Sequence, residues 1–208
     1  MHHRLSRFFC LIVLFLAVGN VNSAAIENQP ARVTLEVLVP GPKVNCSPHE
    51  APAEPFDPSA TSALPHNEKF AAGEHFMENI SPVAEVRISW LGTTFMRRFA
   101  VKIEDGPGDA TLQTYALNRS SSNLQIVAEL DDHDETKLTD VWCLLQRQAA
   151  GEDGALQTNA APNVFFLRDA TGVLGAVDAV WGGAGWEIGA SPIDGQRQWP
   201  SGSRIISR

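Results

Sequence analysis

The sequence of 208 residues has few cysteines and lacks the short motifs that specify a reaction. Of its three cysteines, only Cys46 and Cys143 lie beyond the hydrophobic N-terminus, and neither has a second cysteine at zinc-ligand spacing. The HExxH metalloprotease motif, the G-x-S-x-G nucleophile elbow and a dinucleotide-binding glycine loop are also missing. No motif therefore indicates a particular reaction, cofactor or metal.

Long hydrophobic runs are also rare, and the one that stands out, residues 8–18, predicts a cleaved signal peptide. It follows Arg4 and Arg7 without an acidic residue, and it is too short to cross a bilayer. Small residues that suit a signal peptidase follow it: Ser23, Ala24 and Ala25. An uncleaved anchor helix is the alternative, and a lipoprotein anchor is disfavoured because Cys10 lies inside the run. We expect an exported protein, periplasmic or secreted, with no stable membrane insertion after processing.

Basic residues are outnumbered by acidic ones. The chain has 16 Lys and Arg residues against 24 Asp and Glu residues, a net charge of −8. Loss of Arg4 and Arg7 with the leader would leave 14 against 24, a net charge of −10. Such an acidic chain disfavours nucleic acid and anionic membranes as partners.

The length that remains after processing, roughly 180 residues, suits one ordinary domain. Five prolines between positions 48 and 65 disfavour any regular element there. We predict a signal peptide at 1–24, an N-terminal strand segment at 25–47, a proline-rich arm or linker at 48–67 and a single domain at 68–208.

Cys46 and Cys143 predict a disulfide, because two cysteines in an oxidising compartment most simply form one bridge with each other. The bridge would enclose 96 intervening residues. The loss of entropy in the unfolded chain would then stabilise the folded protein by at most roughly 4–5 kcal/mol. Two buried free thiols are the alternative.

Strand patterns dominate the chain. Residues 32–39 alternate between apolar and polar, which predicts a half-buried strand that ends at Pro40-Gly41-Pro42. Turn-forming residues separate four further predicted strands, so we expect an antiparallel meander. These strands are 84–91, 95–103, 112–117 and 124–130.

The last 45 residues predict a hairpin and two more strands. Two apolar runs, 164–167 and 173–181, flank a turn at 169–172, which is typical of a hairpin. A glycine-rich turn then leads into a strand at 186–190, and residues 204–206 are expected to form a closing strand.

One amphipathic helix is predicted before Gly151. Asp132 and Glu135 have the spacing of a capping box, and a single apolar stripe follows at Leu138, Val141, Trp142 and Leu145. A short helix at 68–79 is also considered, although Gly73 disfavours it. The predicted fold class is α+β, with a mostly antiparallel sheet and one packed helix.

Aromatic side chains are the candidate ligand-binding residues. Three of the five tryptophans, Trp181, Trp186 and Trp199, flank turns near the C-terminus. Exposed indoles beside polar groups stack on sugars or peptides. The alternative, which we favour, is that they fill the core of the sheet.

Metal and nucleophile sites are not indicated. The acidic run 131–135 offers oxygen ligands, but its spacing is not that of a calcium loop and a solvated helix cap explains it. His75 with Glu78 is the only helical pair suited to zinc, and Ser191 lacks the second elbow glycine. We expect no metal and no cofactor. Three Asn-x-Ser triplets, at Asn45, Asn79 and Asn118, are glycan acceptors only if the source is eukaryotic.

The leading functional hypothesis is a non-enzymatic exported protein that binds a protein or carbohydrate ligand through its terminal sheet. One alternative is an extracytoplasmic hydrolase that uses acidic residues such as Asp105, Asp109 or Asp178. A second is a surface-appendage subunit, because an alternating strand followed by Cys46 occurs in such proteins, although the distant Cys143 argues against it.

Overall fold

The computed structural model describes residues 37–46, 69–106, 109–130 and 135–208. All of them belong to one compact unit, Leu35–Arg208. The predicted signal peptide, the proline-rich arm and Asp132 of the predicted capping box lie outside the described residues. Within the described ranges, no helix is long and apolar enough to cross a membrane.

The described residues form eleven strands and four helices. The strands are β1 (Leu38–Cys46), β2 (Lys69–Ala71), β3 (Ile88–Leu91), β4 (Ile103–Asp105), β5 (Ala110–Leu117), β6 (Ser121–Ser122), β7 (Asn163–Arg168), β8 (Leu174–Trp181), β9 (Trp186–Pro192), β10 (Gln198–Trp199) and β11 (Arg204–Ser207). The helices are α1 (Ala72–His75), α2 (Thr93–Arg98), α3 (Asn123–Val127) and α4 (Leu138–Arg147).

Seven of the strands form one mixed sheet with the order β1-β5-β11-β7-β8-β9-β3. The β11–β7 and β3–β9 pairs are parallel, and the other four pairs are antiparallel. Two small two-stranded sheets accompany it, β10 with β6 and β2 with β4. The predicted α+β class with a mostly antiparallel sheet is therefore confirmed.

The C-terminal hairpin forms as predicted. Antiparallel strands β7 and β8 pair from Asn163 opposite Ala179 to Arg168 opposite Leu174. The turn between them contains Gly172 at φ 82°, a left-handed conformation that favours glycine. The Asp169 carboxylate accepts hydrogen bonds from the backbone N–H groups of Thr171 and Val173. Local turn chemistry thus sets the register of the two strands.

Two of the predicted meander strands are wrong, because residues 95–103 contain most of helix α2 and residues 124–130 contain most of helix α3. Phe95 and Phe99 are both fully buried while Arg97 between them is exposed, which fits a helix, because a strand would place all three residues on one face. Helix α3 begins with a capping box in which Ser122 and Gln125 each bond the other's backbone N–H. The continuous meander is therefore interrupted by two helices.

The expected stop at Pro40-Gly41-Pro42 is also wrong, because β1 continues to Cys46. The register of β1 against β5 shifts between Pro40 and Lys43, which accommodates the extra residues as an irregularity. Because β1 is an edge strand of the sheet, its outer side needs no hydrogen-bond donors and tolerates proline. The Thr114 hydroxyl bonds the Pro42 carbonyl at 2.8 Å, which holds the irregular segment against β5.

The helix predicted before Gly151 is α4, and it is one of four helices in the described part of the chain rather than the single one expected. Its N-terminus is capped by Asp140, whose carboxylate accepts the Lys137 backbone N–H at 2.8 Å. The same carboxylate makes two hydrogen bonds of 2.8 Å to the Arg208 guanidinium. These hydrogen bonds connect helix α4 to Arg208, the residue that follows β11.

Hydrophobic side chains pack on both faces of the large sheet. The first cluster buries α4, Phe76 after α1 and Phe95 of α2 against one face, which includes Val177 and Ile188. The second cluster lies on the other face and contains Ile126 of α3 and Trp199 of β10. Strand alternation therefore decides which residues of β8 and β9 enter the first cluster and which face the opposite side.

The predicted disulfide is present between Cys46 and Cys143, with Cα atoms 6.1 Å apart. Cys46 ends edge strand β1, and Cys143 lies on α4 beside the first cluster. The bridge therefore joins two elements that are 97 residues apart in the sequence.

We expect the Cys46→Ala/Cys143→Ala variant to lose about 2–4 kcal/mol of unfolding free energy, because the unfolded chain would gain the freedom of a long loop. Chemical denaturation of the wild-type and variant proteins measures the difference. Thiol labelling of the processed wild type under denaturing, non-reducing conditions provides the control. Two reactive thiols in that assay, or equal stability of the two proteins, would contradict the expectation.

Candidate functional site

A cleft of about 340 Å³ opens on the sheet face opposite the first cluster, over strands β3, β8 and β9. Its polar and aromatic lining combines side chains from these strands, from α2 and from the loop before β10. The lining residues are Trp90, Gly92, Thr93, Thr94, Asp178, Val180, Glu187, Gly189, Ala190 and Arg197.

Strand alternation places the two acidic residues of the cleft on the same face of the sheet. In the antiparallel register of β8 and β9, Asp178 lies opposite Gly189 and Val180 lies opposite Glu187. These residues occupy the face away from Val177 and Ile188, which pack in the first cluster. Asp178 and Glu187 are therefore diagonal neighbours on one face of the sheet, a position in which the two Cα atoms are about 7–8 Å apart.

Asp178 is the most deeply placed polar group of the cleft. Its side chain is only 7% exposed, and its Oδ2 atom lies 3.0 Å from the Arg197 Nη2 atom. Its Oδ1 atom is buried without a hydrogen-bond partner among the described residues. Burial raises the pKa of the Asp178 carboxyl above its ordinary value, although the Arg197 guanidinium acts in the opposite direction.

Glycine at position 189 makes room for this carboxylate. A Cβ atom at Gly189 would lie 2.8 Å from the Asp178 Oδ1 atom, closer than real Cβ contacts allow. Any larger residue would therefore displace Asp178 from the floor of the cleft.

Arg197 also contacts Trp199. The guanidinium carbon lies 4.1 Å from the centre of the Trp199 ring, which is a cation–π contact. The Trp199 Nε1 atom donates to the Asn123 Oδ1 atom at 2.6 Å, and the Asn123 Nδ2 atom donates to the Pro192 carbonyl at 2.9 Å. A buried polar chain thus fixes the position of Arg197.

Trp90 forms the exposed aromatic wall of the cleft. Its side chain is 50% exposed, and a Cβ atom at Gly92 would lie 2.8 Å from its ring. The indole therefore lies across Gly92, at the start of α2. Thr93 and Thr94 follow on that helix and add two hydroxyl groups to the lining. No side-chain hydrogen bond of Trp90, Thr93 or Thr94 to the described residues is formed.

Glu187 is exposed and makes no hydrogen bond or ion pair within the described ranges. In the parallel register of β3 and β9 it is the partner of Trp90. The two side chains lead apart, however, because the Trp90 ring lies over Gly92 and the Glu187 carboxylate lies over Gly182 near the β8–β9 turn.

The three tryptophans proposed as ligand residues do not line this cleft. Trp186 is fully buried, and its Nε1 atom donates to the Gln148 carbonyl at 2.9 Å. Trp181 is half-buried and packs edge-on against Trp186 with ring centres 5.4 Å apart. Trp199 is 1% exposed and reaches the cleft only through Arg197. The indole that lines it, Trp90, carries no sequence signal beyond its position in a predicted strand.

Of the three acidic residues considered for hydrolysis, only Asp178 lies in the cleft. Asp105 is on the separate β2–β4 sheet, where an exposed ion pair and hydrogen bond with Lys69 lower the pKa of its carboxyl. Asp109 is exposed immediately before β5. Glu187, which the sequence did not single out, is the second carboxylate of the cleft.

The remaining candidate residues have structural partners. His75 stacks on Phe70 with ring centres 4.4 Å apart, and Glu78 accepts the Leu91 backbone N–H. The Ser191 hydroxyl accepts a hydrogen bond from Asn123. Residues 131–134 of the acidic run lie outside the described residues. Within the described ranges no three potential metal ligands come together.

A second hollow of about 470 Å³ beside α2 is lined by Asp169 and Arg98 among other residues. Burial acts to raise the pKa of the Asp169 carboxyl, but hydrogen bonds from Thr171, Arg98 and Val173 outweigh it and hold that pKa well below the ordinary value. The Asp169 Oδ2 atom lies 2.6 Å from the Arg98 Nε atom. Both carboxylate oxygens of Asp169 thus have hydrogen-bond partners, whereas in Asp178 only Oδ2 has one.

No protein-family model, curated protein or solved structure matches this chain significantly.

We expect Asp178→Asn to raise the unfolding free energy at neutral pH by about 1 kcal/mol, because it removes a carboxylate whose ionised form is disfavoured by burial. A carboxyl whose pKa is raised on folding costs stability when it is ionised, and this cost disappears as the pH falls below its ordinary pKa. Loss of the ion pair does not leave Arg197 buried without a partner, because its half-exposed side chain can be hydrated in the variant.

Denaturation at neutral pH and at a pH below about 3.5 measures this effect, since an ordinary Asp carboxyl is mostly protonated there. Asp153→Asn, which removes an exposed carboxylate without a partner in the described ranges, is the matched control. The expectation is contradicted if Asp178→Asn is no more stable than the wild type at neutral pH, or if its added stability is the same at the lower pH.

Proposed function

We propose that this protein is an exported binding protein, periplasmic or secreted, whose cleft holds a small hydroxylated ligand such as a carbohydrate. Two observations support export. The hydrophobic leader at residues 8–18 is typical of a signal peptide, and a disulfide such as Cys46–Cys143 is characteristic of oxidising compartments.

The observation that carries the proposal is the buried, half-partnered carboxylate of Asp178 in a cleft with an exposed indole wall. A buried acceptor without a partner costs free energy unless a ligand donates to it. A sugar hydroxyl is such a donor, and its ring presents an apolar face that stacks on an indole such as Trp90. Sites of this kind combine an apolar wall with a few placed polar groups.

The remaining lining suits the same ligand class. Arg197 donates hydrogen bonds, Glu187 accepts them, and the hydroxyls of Thr93 and Thr94 do both. Arg197 is held in place before any ligand arrives by Asp178 and Trp199. A prearranged set of donors and acceptors reduces the entropy lost when a polar ligand binds.

We expect the processed protein to bind at least one member of a panel of neutral, acidic and amino mono- and disaccharides, measured by calorimetry and ligand-observed NMR. Trp90→Ala should weaken that binding about tenfold or more, because the stacking face is lost. Met77→Ala, which truncates a side chain that is 57% exposed and does not line the cleft, is the matched control. The proposal fails if no member of the panel binds, or if Trp90→Ala binds like the wild type.

A second candidate function, hydrolysis of a glycosidic bond, is supported by the presence of both Asp178 and Glu187 in the cleft. Glycosidases use two carboxyl groups on either side of the bond that they cleave, one as an acid and the other as a base or nucleophile. Burial raises the pKa of the Asp178 carboxyl, which is the direction that an acid needs near neutral pH.

We expect a hydrolase of this kind to release nitrophenol from a nitrophenyl glycoside whose sugar the cleft binds. Asp178→Asn and Glu187→Gln would each lower the rate about 100-fold or more, the usual effect of losing acid–base assistance. Asp153→Asn is again the control. If bound glycosides are not cleaved, or if both variants keep the wild-type rate, hydrolysis is excluded while the binding function stands.

A further inference from the structure

The hollow beside α2 is a second candidate binding site, and it shares no lining residue with the cleft. Its volume of about 470 Å³ is within the usual range of ligand pockets, roughly 300–1,000 Å³. One wall is formed by the end of α2 and the residues that follow it. The turn between β7 and β8 forms the other wall.

Hydrogen bonds join the two walls of the hollow. The Ala170 backbone N–H donates to the Arg98 carbonyl at 3.1 Å, and the Arg98 Nε atom donates to the Asp169 Oδ2 atom at 2.6 Å. The Lys102 ammonium group donates to the Arg168 carbonyl, also at 2.6 Å. The walls are therefore in place before a ligand arrives, which reduces the entropy lost on binding.

Each wall exposes a valine to the hollow. Val101 is 64% exposed and Val173 is 55% exposed, and both are lining residues. Ala170 adds a third apolar residue to the lining. Single exposed hydrophobic residues are common on protein surfaces, but here two valines from distant parts of the chain line one hollow. A hydrocarbon group bound there would remove apolar area on both walls from water.

The charged side chains of the hollow leave one positive charge without a counter-charge. The Arg98–Asp169 ion pair offsets one charge of each sign. Arg97 is exposed and lines the hollow, and it makes no hydrogen bond or ion pair with any residue in the described ranges. The planar guanidinium of arginine matches the geometry of a carboxylate. The hollow thus combines apolar walls with a group that suits an anion.

We propose that this hollow binds a small amphiphilic carboxylate, such as a medium-chain fatty acid. The carboxylate pairs with the Arg97 guanidinium, and the hydrocarbon chain packs against Val101 and Val173. A neutral chain leaves Arg97 without a counter-charge, and an amine of the same length meets it as a like charge. This inference is independent of the proposed carbohydrate cleft, because the two sites have different residues.

Three probes of one chain length test the charge of the ligand: octanoate, 1-octanol and octylammonium. We expect octanoate to bind the processed protein about tenfold more tightly than octanol, since a charge-assisted hydrogen bond is added. Octylammonium should bind more weakly than octanol. Ligand-observed NMR measures the dissociation constants below the concentration at which octanoate forms micelles. The methyl resonances of Val101 and Val173 should shift as octanoate is added, which locates the bound chain.

Arg97→Gln should bring the affinity for octanoate to within about twofold of that for octanol, because the charge pair is lost. The affinity for octanol should not change. Arg147→Gln is the matched control. Like Arg97, Arg147 is exposed in the last turn of a helix, but it does not line the hollow. Circular dichroism of both variants confirms that they are folded.

Val173→Thr should instead weaken the binding of octanoate and octanol alike, by about threefold or more. A hydroxyl then replaces a methyl group that the hydrocarbon chain contacts, while the shape of the side chain is kept. Val83→Thr is the matched control, because Val83 is 92% exposed and does not line the hollow.

The possible outcomes separate the ligand class from its location. Equal binding of octanoate and octanol would overturn the assignment of a carboxylate. A preference for octanoate that survives in Arg97→Gln, or binding that leaves the resonances of Val101 and Val173 unshifted, would overturn the assignment to this hollow. If octanoate does not bind at all, the inference fails, while the proposed carbohydrate binding, which is tested with sugars and with Trp90→Ala, is unaffected.

Discussion

The side-chain alternation of β8 is the constraint on which both the core and the cleft depend. Val177 and Ala179 enter the first hydrophobic cluster, while Asp178 and Val180 face the opposite side. A shift of one residue in register would bury the carboxylate in the apolar cluster and expose the valine. The strand is flanked by continuous antiparallel registers with β7 and β9, which leave no room for such a shift. The energy of the core thus fixes the position of the polar group.

The same geometry explains which parts of the fold were predictable. The β7–β8 hairpin depends on neighbouring residues and a local turn, so its sequence pattern was sufficient. Helices α2 and α3 were mistaken for strands because short apolar segments fit either period, and packing decides between them. The cleft was beyond reach for a different reason. It requires β3 to pair with β9, about one hundred residues away in the sequence, and nothing local predicts that Trp90 pairs with Glu187.

Sequence reasoning identified Asp178 as one of three acidic candidates, but only the tertiary structure distinguishes it from the other two. Asp105 is fully accessible and paired with Lys69, while Asp178 is buried with one oxygen unpartnered. The sequence leaves two interpretations open for Trp181, Trp186 and Trp199, ligand stacking or core filling, and their roles in the structure differ by residue. Trp186 anchors the end of α4 through the Gln148 carbonyl, whereas Trp199 positions a charged side chain of the cleft.

The polar chain that positions Arg197 also determines how far the charge of Asp178 is compensated. The chain from Asn123 through Trp199 to Arg197 is buried at its base and becomes accessible only at the guanidinium, which is 42% exposed on the side chain. The Arg197 guanidinium acts to lower the pKa of the Asp178 carboxyl, but burial outweighs it and raises that pKa above its ordinary value. Under the proposed binding function, a ligand hydroxyl would donate to the Asp178 Oδ1 atom, which has no partner among the described residues. The sheet would supply the rigid support for that contact, and the polar chain would fix the internal donor, Arg197.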